Sequence, residues 1–216
     1  TFKELDGDLI KTYSTHRDKE AKEESLTVKP GLNQFSWNMR YEGAKTFPGM
    51  ILWAATTSGP LAIPGKYLVE MEVNGVNTSQ TFEIIPDPRK SASPSDYQAQ
   101  FDFLIDVRDQ LSAANQGVID VRDLKKQLST VSNNLDEDQI ELKTMIKELT
   151  KELKTMEEKL YQTQNESRQD PLNFPIRLNN KIGYLGSLIG TGESRPTQQA
   201  LDVFNEISAA ISLELK

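Results

Sequence analysis

The stretch PDPRKSASPSD, residues 86–96, separates two kinds of pattern in this chain. Pro86 and Pro88 withhold the backbone donors that a continuing strand would need. Ser93, Pro94 and Asp96 then stand where a helix wants its N-cap, its first residue and a first-turn acid. Strands are expected before this point and helices after it. From Tyr97 the apolar residues recur at helical intervals: Phe101, Leu104, Leu111, Ala114, Val118, Val121, Leu124 and Leu128. That spacing predicts a helix to about Ser129, followed by turn and cap residues in STVSNNLDED.

The next helix has a narrower stripe. Leu142, Ile146, Leu149, Leu153, Met156 and Leu160 alternate spacings of four and three, and Leu135 lies seven residues before Leu142. This is a coiled-coil seam with Glu and Lys on its outer face. A helix from about Asp136 to Arg168 would be roughly 50 Å long and would pack antiparallel to the one before it. Gly190 and Gly192 break the chain further on. Pro196 or Thr197 opens a last helix carrying Leu201, Phe204, Ile207 and Ile211. Three or four helices in up-and-down order predict a bundle over residues 91–216.

Working back from Pro86, residues 1–90 read as strands and turns. GKYLVEMEVNGVNTSQTFEIIPDP is the clearest hairpin: Tyr67, Val69, Met71 and Val73 alternate with Leu68, Glu70 and Glu72, and Asn74-Gly75 turns the chain. Asp6-Gly7 marks a second hairpin in FKELDGDLIKTYS. Two more runs, around Leu26–Val28 and Gln34–Arg40, are joined by Pro30-Gly31. Six or seven short strands in this space predict a β-sandwich.

Composition narrows the function. The 216 residues are 37% hydrophobic and 26% charged, and the net charge of −7 opposes nucleic acid. The acidic surplus lies mostly in residues 91–216, with 20 acidic and 14 basic groups. Without cysteine there is no disulfide, thiolate metal site or thiol nucleophile. No apolar run approaches the ~20 residues of a membrane span; the longest, GMILWAA, is strand-sized. The first residue, Thr1, reads as the start of an excised fragment, so any targeting segment is expected upstream in the parent protein.

Candidate chemistry is sparse. The single histidine, His16, sits in the polar run TYSTHRDKEAKEE with no second ligand or nucleophile, and reads as a solvated loop residue, as does the KEAKEE tract. No phosphate-binding glycine loop is present. Paired carboxylates such as those in NLDEDQIE and MEEK fit solvated helix faces. A glycosidase pair would sit roughly 5–9.5 Å apart in a cleft, so a hydrolase complete in itself stays open as the least favoured alternative. No catalytic residue, cofactor or metal ligand is assigned. Trp37 reads as packed between sheets. Trp53, with Tyr41 and Arg40, forms either a sugar-stacking or protein-binding surface or a contact buried between domains.

DPLNFPIRLNNKIGYL, residues 170–185, is too apolar for a free loop. It reads as a helix–helix corner. Asp170 and Pro171 end the long helix, Asn173 caps the next, and Pro175 lies in its first turn. Arg177, Asn179 and Asn180 hydrogen-bond the turn or a neighbouring element.

Five segments together resemble the carboxy-terminal region of bacterial sortilin-like, neuraminidase-repeat (BNR) β-propeller proteins labelled as glycosyl hydrolases. They are GLNQFSWNMRYEGAKTFPGMILWA, GPLAIPGKYLVEMEVNG, QAQFDFLIDVRDQLSAANQGVIDVRDLKKQL, LYQTQNESRQDPLNFPIRLNNKIGYL and RPTQQALDVFNEI. LDGDLIKTYS and IPGKYLVEMEVNG also resemble the immunoglobulin-like fold of flagellar hook-capping proteins. The resemblance implies an immunoglobulin-like domain over 1–90, a propeller upstream in the same parent chain, and export to the periplasm, cell surface or medium. Any hydrolase activity would belong to that propeller. The expected role is a non-catalytic accessory, spacer or protein-interaction region, whose partner is another protein or a second copy through the helices. A carbohydrate-binding module is the alternative.

Overall fold

A computed structural model describes residues 1–15 and 26–216, so His16 and the KEAKEE tract lie outside the described residues. The fold is mixed, with one small antiparallel sheet and four α-helices. Strands β1 (Phe2–Glu4), β2 (Leu9–Lys11), β3 (Gly65–Val73) and β4 (Val76–Ile84) lie in the order β2-β1-β3-β4. Both expected hairpins form. Asn74 and Gly75 take φ of 51° and 79°, the paired positive values of the two-residue turn that matches strand twist. They leave Val73 opposite Val76.

The six or seven predicted strands become four among the described residues. Leu26–Val28 forms no strand, and the Leu26 N–H donates to the Ser14 carbonyl. Gln34–Arg40 makes no ladder, and Arg40 alone bridges to Leu61. The physical reason is that its polar groups serve local turns, the Arg40 N–H donating to the Asn38 side chain, while Phe35 and Trp37 pack their rings on Phe2. Trp37 stacks on Phe2 at 4.4 Å and meets Phe82 edge-on. Its indole N–H donates to the Arg40 carbonyl at 3.1 Å, and Met39 turns the chain at a φ of 56°. Ile10, Tyr41, Ala62 and Tyr67 complete this aromatic core, with Phe101 of the first helix against it.

Helix α1 (Pro94–Asn133) begins as the sequence indicated. The Ser93 hydroxyl accepts from the Asp96 N–H, and the Asp96 carboxylate accepts from the Ser93 N–H at 3.0 Å. At 40 residues it runs about 60 Å. Phe103, Val107, Leu111, Ala114, Val118 and Val121 form its buried stripe. Against this stripe pack α2 (Ile140–Leu160), α3 (Leu178–Ile189) and α4 (Gln198–Glu214). Leu160, Ile182, Leu185, Ile207 and Ile211 fill the space between them. Thr197 caps α4, accepting from the Ala200 N–H.

Helix α2 is shorter than the expected 136–168. It stops at Leu160 because Tyr161 turns to extended backbone, with φ −137° and ψ 145°, and buries its ring edge-on to Phe47 at 5.0 Å. Pro171 therefore does not end α2; it lies in a one-turn 3-10 helix, Asp170–Leu172. Nor does Asn173 cap α3. Arg177 occupies the N-cap position and its side chain makes no capping bond, while Pro175 precedes the helix. The Pro175 carbonyl accepts from the buried Gln162 side chain at 2.9 Å. Among the described residues no helix is long and apolar enough to cross a membrane.

Candidate functional site

Residues 41–62 cross from the sheet to the helices as an irregular strap. Its two limbs bond to each other: Tyr41 N–H to the Pro60 carbonyl, Ala44 N–H to Thr57, and Ala62 N–H to Met39. They approach so closely that a Cβ on Gly59 would lie 2.2 Å from the Tyr41 carbonyl oxygen. Glycine is required there by contact with backbone.

The strap is fastened to the helices by buried side chains. Asn180, on α3, accepts from the Trp53 N–H at 2.6 Å and donates to the Trp53 carbonyl at 3.0 Å. One amide side chain thus pairs both backbone groups as a neighbouring strand would. Asn115, fully buried on α1, donates to the Lys45 carbonyl at 2.6 Å and accepts from Asn179 at 3.1 Å. The Tyr161 hydroxyl accepts from the Ile51 N–H and donates to the Gly49 carbonyl. Buried polar groups need such partners, since losing one leaves a desolvated donor or acceptor.

The three residues singled out as a ligand surface go separate ways. Tyr41 is only 9% exposed; its hydroxyl donates to Glu4 Oε1 at 2.5 Å, and Phe101 meets its ring edge-on. Burial, reinforced by the Glu4 hydrogen bond and charge, holds its phenol far above the ordinary value. Trp53 is 38% exposed, and its backbone belongs to Asn180. Arg40 is half-buried and donates to the Gly59 carbonyl at 2.9 Å.

At the corner, Asp170 accepts from the backbone N–H groups of Ser167 and Glu166, both at 2.7 Å. Those bonds and the Ser167 hydroxyl lower its carboxyl from the ordinary range. Asn179 and Asn180 bond to neighbouring elements, whereas the Arg177 Nε is buried without a hydrogen-bond partner.

Sequence reasoning missed Glu157. It is buried on α2, bonded by Arg122 at 2.7 Å and by Lys125 at 2.9 Å. Burial pushes its carboxyl up, but the two cationic hydrogen bonds outweigh that, and the net shift is downward. Arg122 also lies over Phe47 at 4.7 Å and Tyr161 at 5.5 Å. The signal available was spacing: Glu157 lies four residues after Leu153 and three before Leu160, on the seam face, whereas Glu158 lies five after and two before.

Two adjoining clefts open beside the strap, each about 250 Å3. The first lies between the strap, α1 and α3, with Arg40, Arg108, Thr56, Ser58 and Ser187 as its polar lining and Leu104 and Val107 among its walls. None of the described residues lining it is acidic. The second is apolar, with Leu61, Ile63, Ile85, Pro86 and Phe101 in its walls and Asp87 and Glu193 beside them. Arg40, Leu104 and Gly190 line both. Among the described residues no three histidine or acidic side chains gather as a metal site. The chain matches no protein-family model, no curated protein and no solved structure.

Proposed function

We propose that this chain is a non-catalytic accessory, spacer or protein-interaction region of a larger exported β-propeller protein. In this reading the sheet with the segment 33–41 packed on it is a reduced immunoglobulin-like sandwich, and α1–α4 are an up-and-down bundle. The link to propeller proteins and to export rests on the sequence segments quoted above.

The observation that carries the reading is what the buried polar side chains do. Asn115, Asn179, Asn180 and Tyr161 all join the strap to the helices, directly or through one another. Glu157 joins α1 to α2 through Arg122 and Lys125. These are the groups best placed for reactive chemistry by burial, and they act as joinery between strand and helix regions, as a stiff spacer requires. The test compares the parent protein with and without these 216 residues. Secretion and stability should fall on deletion while turnover per folded molecule is kept. Turnover of a glycoside by the chain alone would overturn the reading.

Trp53 supports the second reading, a carbohydrate-binding module. Its ring is partly exposed while Asn180 clamps its backbone, a rigid platform for one sugar face. A glycan array with a Trp53→Ala control tests it; equal signals from both proteins would remove it.

A further inference from the structure

From the paired clefts we infer a binding site for an apolar monocarboxylate, anchored by Arg40, which is independent of the spacer reading. Arg89, Arg108, Arg122 and Arg195 each sit on a carboxylate. Arg40, Arg168 and Arg177 have no carboxylate partner among the described residues, and of these three only Arg40 lines either cleft. One of its five donors is committed to the Gly59 carbonyl. The rest of its planar fork is half-buried in a cleft whose other polar side chains are Arg108 and the hydroxyls of Thr56, Ser58 and Ser187.

Charge sets the ligand class. The Arg108 guanidinium already lies 2.7 Å from Asp109, so the cleft holds one uncompensated positive charge. That suits a monoanion better than a phosphate dianion. A planar two-oxygen anion also matches the guanidinium fork, which can donate two parallel bonds to a carboxylate. The Thr56 and Ser58 hydroxyls are donors for the remaining lone pairs, while the Ser187 hydroxyl donates to the Gly183 carbonyl.

The body of the ligand is set by the second cleft. It shares Arg40 and Leu104 with the first, and its walls are Leu61, Ile63, Ile85, Pro86 and Phe101. Of the acids there, Asp87 pairs with Arg89, while Glu193 accepts from the Tyr97 hydroxyl at 2.9 Å and keeps its charge. The part of the ligand in this cleft is therefore uncharged. A carboxylate at Arg40 would place its apolar substituent along this wall. Each cleft is small, so the ligand is a single such group. Two sources carry that chemistry: the free carboxy terminus of a protein ending in an apolar residue, or a free arylalkyl or branched-chain acid.

The experiment is a titration of the whole chain, followed through the backbone amide resonances of Gly59, Ser187 and Gly190. The probes are 3-phenylpropionate, 3-phenylpropionamide, inorganic phosphate, and a hexapeptide ending in Phe with its terminus free or amidated. The acid or the free-terminus peptide should shift these resonances with a Kd of about 1 mM or tighter. Both amides should bind at least about tenfold more weakly, as the loss of a charged hydrogen-bonding group implies. Tighter binding by the peptide assigns a protein terminus, and tighter binding by phenylpropionate assigns a free acid. Arg40→Gln should abolish the preference for acid over amide. Because Arg40 also holds Gly59, Ser187→Asp serves as a second variant that leaves the strap bonds intact and puts a negative charge in the cleft; it should weaken the acid about tenfold or more. Equal binding of acid and amide, phosphate binding as tightly as the acid, no shift with any probe, or acid affinity unchanged in both variants would each overturn the inference.

Discussion

The strap of residues 41–62 and the far end of the α1–α2 pair, residues 122–156, are held to the molecule by opposite means. The strap has almost no regular secondary structure, yet its backbone is fastened at Lys45, Ile51 and Trp53 by side chains from α1, α3 and the residue after α2. The far pair is regular helix almost throughout. Beyond Val121, however, α1 has no buried side chain, and in this stretch of α2 only Ile146 is buried. Leu124, Val131, Leu142, Met145 and Leu149 stay partly exposed along it. Regularity and rigidity are therefore separate properties here. The helices satisfy their own backbone, whereas the strap depends on long-range polar partners.

The largest expected effect lies in the strap. Gly59→Ala forces a Cβ onto the Tyr41 and Glu42 carbonyls and should cost about 3 kcal/mol or prevent folding, read by urea unfolding. Asn180→Ala strands both backbone groups of Trp53 in a part-buried setting and should cost about 2 kcal/mol. It should also shift Trp53 fluorescence, which a change in the far helices would not do.

At the boundary between the two regions, Glu157→Gln should cost about 1–2 kcal/mol at neutral pH by weakening two charge-assisted bonds. The sign of its pH dependence follows from the lowered carboxyl of the folded state. The stabilisation is complete above the ordinary carboxyl value of 4.5 and disappears as pH falls through the lower folded value. The melting-temperature gap between wild type and variant should therefore close in acid. The smallest effect belongs to the far helices: Leu149→Ala, at a partly exposed seam position, should cost about 1 kcal/mol or less. A loss comparable to that of Gly59→Ala would erase the contrast.

The same contrast explains what could be read from the sequence. Ser93 with Asp96, and Asn74 with Gly75, are local devices, legible because the partners lie within a few residues. The apolar stripe of α1 was legible for the same reason. The strap was not, because Trp53 and Asn180 are 127 residues apart and Lys45 and Asn115 are 70 apart. Nothing near an asparagine in sequence announces such a partner. The end of α2 was misplaced because Tyr161 leaves the helix to reach Phe47 and Gly49, a tertiary demand that overrides local helical preference. Arg40 was singled out with two aromatic residues, but the cleft it lines depends on α1 and α3 and had no local signature.

Native-state hydrogen exchange probes the contrast most directly, by comparing the Tyr41, Ala44, Ile51 and Trp53 amides with those of Met145 and Leu149. The strap amides should exchange more slowly than the helical ones, with Trp53 close to the global unfolding limit. If the strap amides exchange as fast as an ordinary surface loop while the far helices are fully protected, the buried asparagines do not fasten the strap and the stiff-spacer reading falls with them.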